Sequence, residues 1–113
     1  MKVLTTELIS LTSNEEQKII QLAKCNCGLL FISDASTARG AYRHSKVFVF
    51  NINGYGNGGS VVNISGHNDD DYSVYVHSTD TISIYVKKTA GYSPNLKLNC
   101  SILLMNQHPM KNE

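Results

Sequence analysis

Gly54-Tyr55-Gly56-Asn57-Gly58-Gly59 spells G-x-G-x-x-G directly after an apolar run. Such glycines cradle a pyrophosphate when a helix follows and turns its N-terminus to the phosphates. Here Ser60-Val61-Val62-Asn63-Ile64-Ser65-Gly66 follows, a strand-like stretch interrupted by glycine. On that context the spelling is a coincidence. The segment reads as a loop whose Tyr55 and Asn57 can meet a partner, or as an ordinary long hairpin turn. His67-Asn68-Asp69-Asp70-Asp71 gathers oxygen ligands that suit calcium, but the EF-hand spacing is absent and a solvated loop explains the charges. His67, Asn68 and Asp70 are therefore candidate contacts for a ligand rather than for a metal. Tyr75 and Tyr85 fall on the outward face of neighbouring strands with His77 and Lys87. Such aromatics either stack on a sugar ring or pack on each other as a cross-strand pair. Tyr92, in a loop over 89–95, completes the candidate ligand-binding set.

Other chemistries find little purchase. The chain has three cysteines, and Cys25-x-Cys27 is too tight for an easy disulfide within itself. Three reduced thiols are expected. A zinc site on Cys25, Cys27 and a histidine is disfavoured because His44, His67, His77 and His108 lack ligand spacing. No Gly-x-Ser-x-Gly or His-Glu-x-x-His occurs, and no glutamate lies between Glu16 and Glu113. A glycosidase would depend on Asp34, Asp69, Asp70, Asp71 or Asp80, none at an evident strand-end pair. No catalytic residue, metal or cofactor is expected. Net charge is +1 with scattered basic residues, which argues against nucleic acid. No apolar run reaches membrane-spanning length and no signal core opens the sequence, so synthesis in a cytoplasm is expected, with the sequons at Asn63 and Asn99 unmodified.

The elements that must position these residues are mostly strands. Residues 1–12 read as an extended arm or strand. Ser13 and Glu16 have the spacing of a capping box, and Ile19, Leu22 and Ala23 recur at i, i+3, i+4 with Ile20 beside them. This predicts a helix over 14–24 that must dock on something, being marginal alone. From Gly28 onward every apolar run is strand-like: Leu29–Ile32, Val47–Phe50, Val61–Ile64, the alternating Tyr72–His77 and Thr81–Lys87, and Leu96–Met105. Turns every 8–12 residues predict an all-β, jelly-roll-like antiparallel β-sandwich preceded by one short N-terminal helix. The expected division is an arm and helix over 1–25, a sandwich over 26–106 and a polar tail over 107–113.

Strands 72–77 and 81–87 alternate as half-wet strands should, whereas 29–32, 47–50 and 102–105 are apolar on both faces. One short helix covers only part of that excess. An oligomer is expected, with Ile19, Ile20, Leu22, Leu29 and Phe31 as contact residues.

The order of a helical segment, Gly-Leu-Leu-Phe-Ile-Ser-Asp, a Ser/Thr-Ala-Arg-Gly-Ala-Tyr turn, Val-Phe-Val-Phe, a glycine-rich loop, Tyr-Ser-Val-Tyr-Val and Thr-Ile-Ser-Ile-Tyr-Val-Lys resembles the β-sandwich tip or knob modules of bacteriophage fibres and receptor-binding proteins. The resemblance covers about residues 13–105. It implies a non-enzymatic virion structural protein, a homotrimer on head or tail, attached through its N-terminal arm to other virion proteins and meeting a host-surface glycan or receptor through loops 54–59, 66–71 and 89–95. A small head-fibre protein fits equally. The alternatives are a monomeric carbohydrate-binding or protein-interaction sandwich module, and more remotely a metal-dependent enzyme of jelly-roll type.

Overall fold

The computed structural model describes residues 2–12, 14–22, 26–34, 45–52, 59–65, 72–89 and 96–105. Among these residues the chain is all β. The strands are β1 (Lys2–Thr5), β2 (Ile9–Leu11), β3 (Glu16–Gln21), β4 (Asn26–Asp34), β5 (Lys46–Ile52), β6 (Gly59–Asn63), β7 (Tyr72–Val76), β8 (Ser83–Lys88) and β9 (Leu96–Leu104). All pairings are antiparallel. Sheet A runs β1-β9-β4-β5-β6, with β2 also on β9, and sheet B runs β3-β8-β7. The last strand inserts among the opening ones, β9 lying between β1/β2 and β4, while β8 lies between β3 and β7. The β4-β5-β6 meander stays within sheet A.

The two-residue period of the strands sets the core. Leu30 and Ile32 of β4, Phe48, Phe50 and Ile52 of β5, and every second residue of β9 from Leu96 to Leu104 point inward from sheet A, and Tyr72, Ile84 and Val86 from sheet B. They form one buried cluster spanning both sheets. Two lysines lie with this core. Lys46 Nζ sits 4.3 Å over the Tyr72 ring, joining sheet A to sheet B, and Lys88 is 1% exposed. Strand glycines allow two close approaches: a Cβ on Gly28 would lie 2.0 Å from the Leu103 carbonyl oxygen, and one on Gly59 1.7 Å from that of Asn51.

The N-terminal quarter departs from expectation. Residues 16–21, expected as part of a helix, form strand β3 instead, pairing with β8 from Glu16↔Lys87 to Gln21↔Ser83. The capping-box sequence is a reversal: Asn14 adopts φ 65°, Glu15 N donates to the Thr12 carbonyl at 3.1 Å, and Thr12 N donates to Glu15 Oε1 at 2.6 Å. Asparagine accepts that left-handed backbone readily. Asn14 N and the Lys88 carbonyl (3.0 Å), and Lys88 N and the Glu15 carbonyl (3.0 Å), then clip the turn to β8. Within residues 1–12, expected as an extended arm or strand, β1 and β2 are strands paired along β9. Thr6 N reaches the Cys100 carbonyl at 3.0 Å, after which one extra residue separates the two pairings, a bulge in an otherwise continuous edge.

Candidate functional site

Among the described residues, the outer face of sheet B gathers the densest polar chemistry. Register places Lys18, Tyr85 and Tyr75 in one row across β3, β8 and β7, and Glu16, Lys87 and Ser73 in the next. Odd-numbered positions of β7 and β8 point away from the core because even-numbered Val74, Val76, Ile84 and Val86 point into it. The Tyr75 hydroxyl donates to Glu16 Oε2, and His77 Nε2 lies 2.8 Å from the same oxygen. The Tyr85 hydroxyl donates to Asp80 Oδ2 at 2.5 Å, and Lys18 Nζ lies 3.3 Å from that oxygen. Lys18 Nζ also donates to Gln21 Oε1 at 3.3 Å and sits 5.9 Å from the Tyr85 ring centroid. The tyrosine rings lie 14° from parallel with centroids 6.5 Å apart. The His77 ring stands nearly perpendicular to both, 4.3 Å from Tyr85 and 5.4 Å from Tyr75.

These bonds set the protonation of the cluster. The Tyr75 hydrogen bond, with His77 adding to it, holds the Glu16 carboxyl below its usual range. Tyr85 first, with Ser83 and then Lys18 adding to it, does the same for Asp80. The phenols move the other way. Tyr75 is pushed up to about 12 by burial and by Glu16, and Tyr85 to about 12 by its bond to Asp80. At neutral pH the carboxylates are ionised and the phenols protonated, so neither pair exchanges a proton there. The arrangement suits binding and strand-clasping: Glu16 and Lys18 of edge strand β3 are tied across β8 to β7 and to the turn after it. Among the described residues, no group of three or more His, Cys, Asp or Glu is placed to hold a metal.

The outer face of sheet A is its opposite. Register aligns Val3, Leu103, Leu29, Val49 and Val62 in a single row across five strands. The next row runs Thr5, Ser101, Phe31, Val47, and Ile64 N donates to the Val47 carbonyl at 2.8 Å, extending the apolar surface. Exposure is high for apolar side chains: Val3 64%, Val62 52%, Ile64 55%, Phe31 41% and Val49 40%. Polar pairs flank the rows, with Ser33 opposite Asn99 on one side and Cys27-Asn51-Ser60 on the other. Among the described outward strand positions of this sheet only Lys97 carries a charge.

Of the candidate ligand contacts, Tyr75 and Tyr85 are brought together as a cross-strand pair. Tyr55, Asn57, His67, Asn68, Asp70 and Tyr92 lie outside the described residues. Of the candidate oligomer contacts, Leu29 and Phe31 lie on the open face of sheet A. Ile19 and Leu22, 7% and 6% exposed, are inside the chain's own core, and Ile20 packs against it. Their apolar spacing has an intramolecular use. Sequence reasoning missed Glu16, Lys18 and Asp80. Asp80 stands only five residues before Tyr85, but Glu16 is 59 residues from Tyr75, a pairing that only the β3-β8-β7 order reveals.

The chain matches no family model, no curated protein and no solved structure.

Proposed function

We propose that the chain is a non-enzymatic structural protein of a virion, a fibre or knob that assembles as a homotrimer through the outer face of sheet A and turns the outer face of sheet B towards a host-surface glycan. The five-strand row Val3-Leu103-Leu29-Val49-Val62 carries this reading. The exposed fractions leave on the order of 500 Å² of apolar surface there, the upper end of what a lone domain shows. An apolar centre with a Ser, Thr and Asn rim has the anatomy of a protein interface. The near absence of charge makes another copy of this chain a matching partner. The virion setting and the number three rest on the likeness of the strand sequences to phage fibre tips. The jelly-roll-like reading is supported by the insertion of β9 between β1/β2 and β4 and by the pairing of β8 with β3, while the β4-β5-β6 meander is a local elaboration of it. Tyr75 and Tyr85 supply the aromatic and hydroxyl chemistry a sugar ring uses.

Light scattering on the reduced protein tests the assembly. A mass of three chains is expected. Val49→Lys with Val62→Lys puts two charges into the row without touching the core. It should give a folded monomer with an unchanged circular dichroism spectrum. A wild-type protein that stays monomeric at high concentration overturns the reading and favours the lone sandwich module. A glycan array on the wild type and on Tyr75→Ala with Tyr85→Ala tests the receptor role separately.

A further inference from the structure

Next to the apolar row, the outer face of sheet A sinks into a hollow of about 300 Å³, whose lining includes Phe31, Ser33, Lys46, Val47, Asn99 and Ser101. Phe31 and Val47 are a cross-strand pair, so the floor of the hollow is continuous with the apolar surface. On the far side of the row stands Met105. It is 49% exposed, and its backbone N is fixed by a 2.8 Å bond to the Cys27 carbonyl. Met105 lies one residue beyond β9, where its bond to Cys27 continues the β4 pairing, so by strand parity it falls on the side of Ser101 and Leu103.

We infer that Met105 of one copy seats in the Phe31-Val47 hollow of the next, so that the two features are halves of one contact. The inference rests on the assembly reading and adds its geometry. Three observations favour this occupant. Methionine is unbranched and adapts to irregular hollows better than any other apolar side chain. Phe31 and Val47 give the hollow apolar lining that suits a thioether, and the charged residue that also lines it, Lys46, is buried with its Nζ over the Tyr72 ring. The exposed row alone falls short of the roughly 800 Å² per partner typical of a stable interface, and the hollow with its projection lies on the same face to extend it. A flexible knob in a rimmed pocket is also how interface energy usually concentrates in a few residues.

Two single-cysteine proteins test the contact. Met105→Cys and Ser33→Cys are each placed in a Cys25→Ser/Cys27→Ser background, leaving only the buried Cys100. They carry tags of different size, are mixed and are gently oxidised. Disulfides joining the two different proteins should exceed those joining like proteins by roughly tenfold, the ratio set by one seated contact. Ser101→Trp, which fills the hollow from its exposed rim, should weaken assembly by a similar factor with folding unchanged. The inference is overturned if the protein keeps its oligomeric mass while like-with-like disulfides dominate, or if Ser101→Trp assembles as wild type. In either case the assembly reading stands. A monomeric background protein overturns both together.

Discussion

At the residue scale, the sheet B cluster is a set of linked proton affinities. Glu16 and Asp80 have folded values below the ordinary carboxylate range, because Tyr75 and Tyr85 donate to them. Their contribution to stability is therefore present above that range and is lost as pH falls through the folded values. Tyr75 and Tyr85, raised to about 12, contribute stability that is present below the unfolded phenol value and lost as pH rises through about 12. Both limbs come from the same hydrogen bonds. Following phenolate absorbance against pH should show at least two of the six tyrosines titrating late in the native protein, and all six near pH ~10 in denaturant. Tyr75→Phe removes the chief cause of the Glu16 shift. It should flatten the acid limb of stability against pH, as well as removing one late phenol. An unaltered acid limb would show that Tyr75 does not hold Glu16 in solution. Cys100 illustrates the opposite environment: burial pushes its thiol up to about 11, so it stays protonated and inert.

At the element scale, β3 shows where a sequence pattern misleads. Its partners run Gln17↔Val86 and Lys18↔Tyr85, then jump to Ile20↔Ile84, so one extra residue is inserted. A regular strand buries every second residue. The bulge breaks that period, and Ile19 and Leu22 become buried three apart, with Ile20 half-buried between them. That spacing is also the signature of a short amphipathic helix. Ser13-Asn14-Glu15-Glu16 compounds the ambiguity, since residues that cap helices also build turns with left-handed backbone. Strands without a bulge were legible: β7 and β8 carry clean alternation, β9 starts alternating and ends apolar on both faces, and the doubly apolar runs of β4 and β5 called for cover on the outer face as well. The clasp was not legible, because it depends on which strands are neighbours in space. Ile19, at 7% exposure, sits where a helix face and a strand face make different demands. Ile19→Ala should cost about 2–4 kcal/mol in urea unfolding, as for a filled core site, with sheet B frayed at its β3 edge. A cost below about 0.5 kcal/mol would be that of a surface residue and would place Ile19 outside the core.

At the scale of the whole molecule, the two sheets share one core and differ sharply outside it. Sheet A shows an apolar row with a polar rim, and sheet B a clasp of carboxylates, phenols, histidine and lysine. In the proposed assembly this two-sidedness sets the orientation, with sheet A against other copies and sheet B towards solvent. The course of the N-terminal residues bears on how any such assembly is anchored. If residues 1–11 were a detachable arm, removing them would leave the sandwich whole and abolish only attachment. Instead β1 and β2 together cover the outer edge of β9 from Leu96 to Leu104. β9 is fully buried at Leu96, Leu98 and Ile102, and Ile9 and Leu11, each 2% exposed, belong to the same core. Deleting residues 1–11 exposes both that core and a long unpaired strand edge, which templates further pairing. The truncated protein should lose cooperative urea unfolding and aggregate through β9. A soluble truncation with a wild-type unfolding transition would restore the detachable arm, and with it an attachment role separable from the fold.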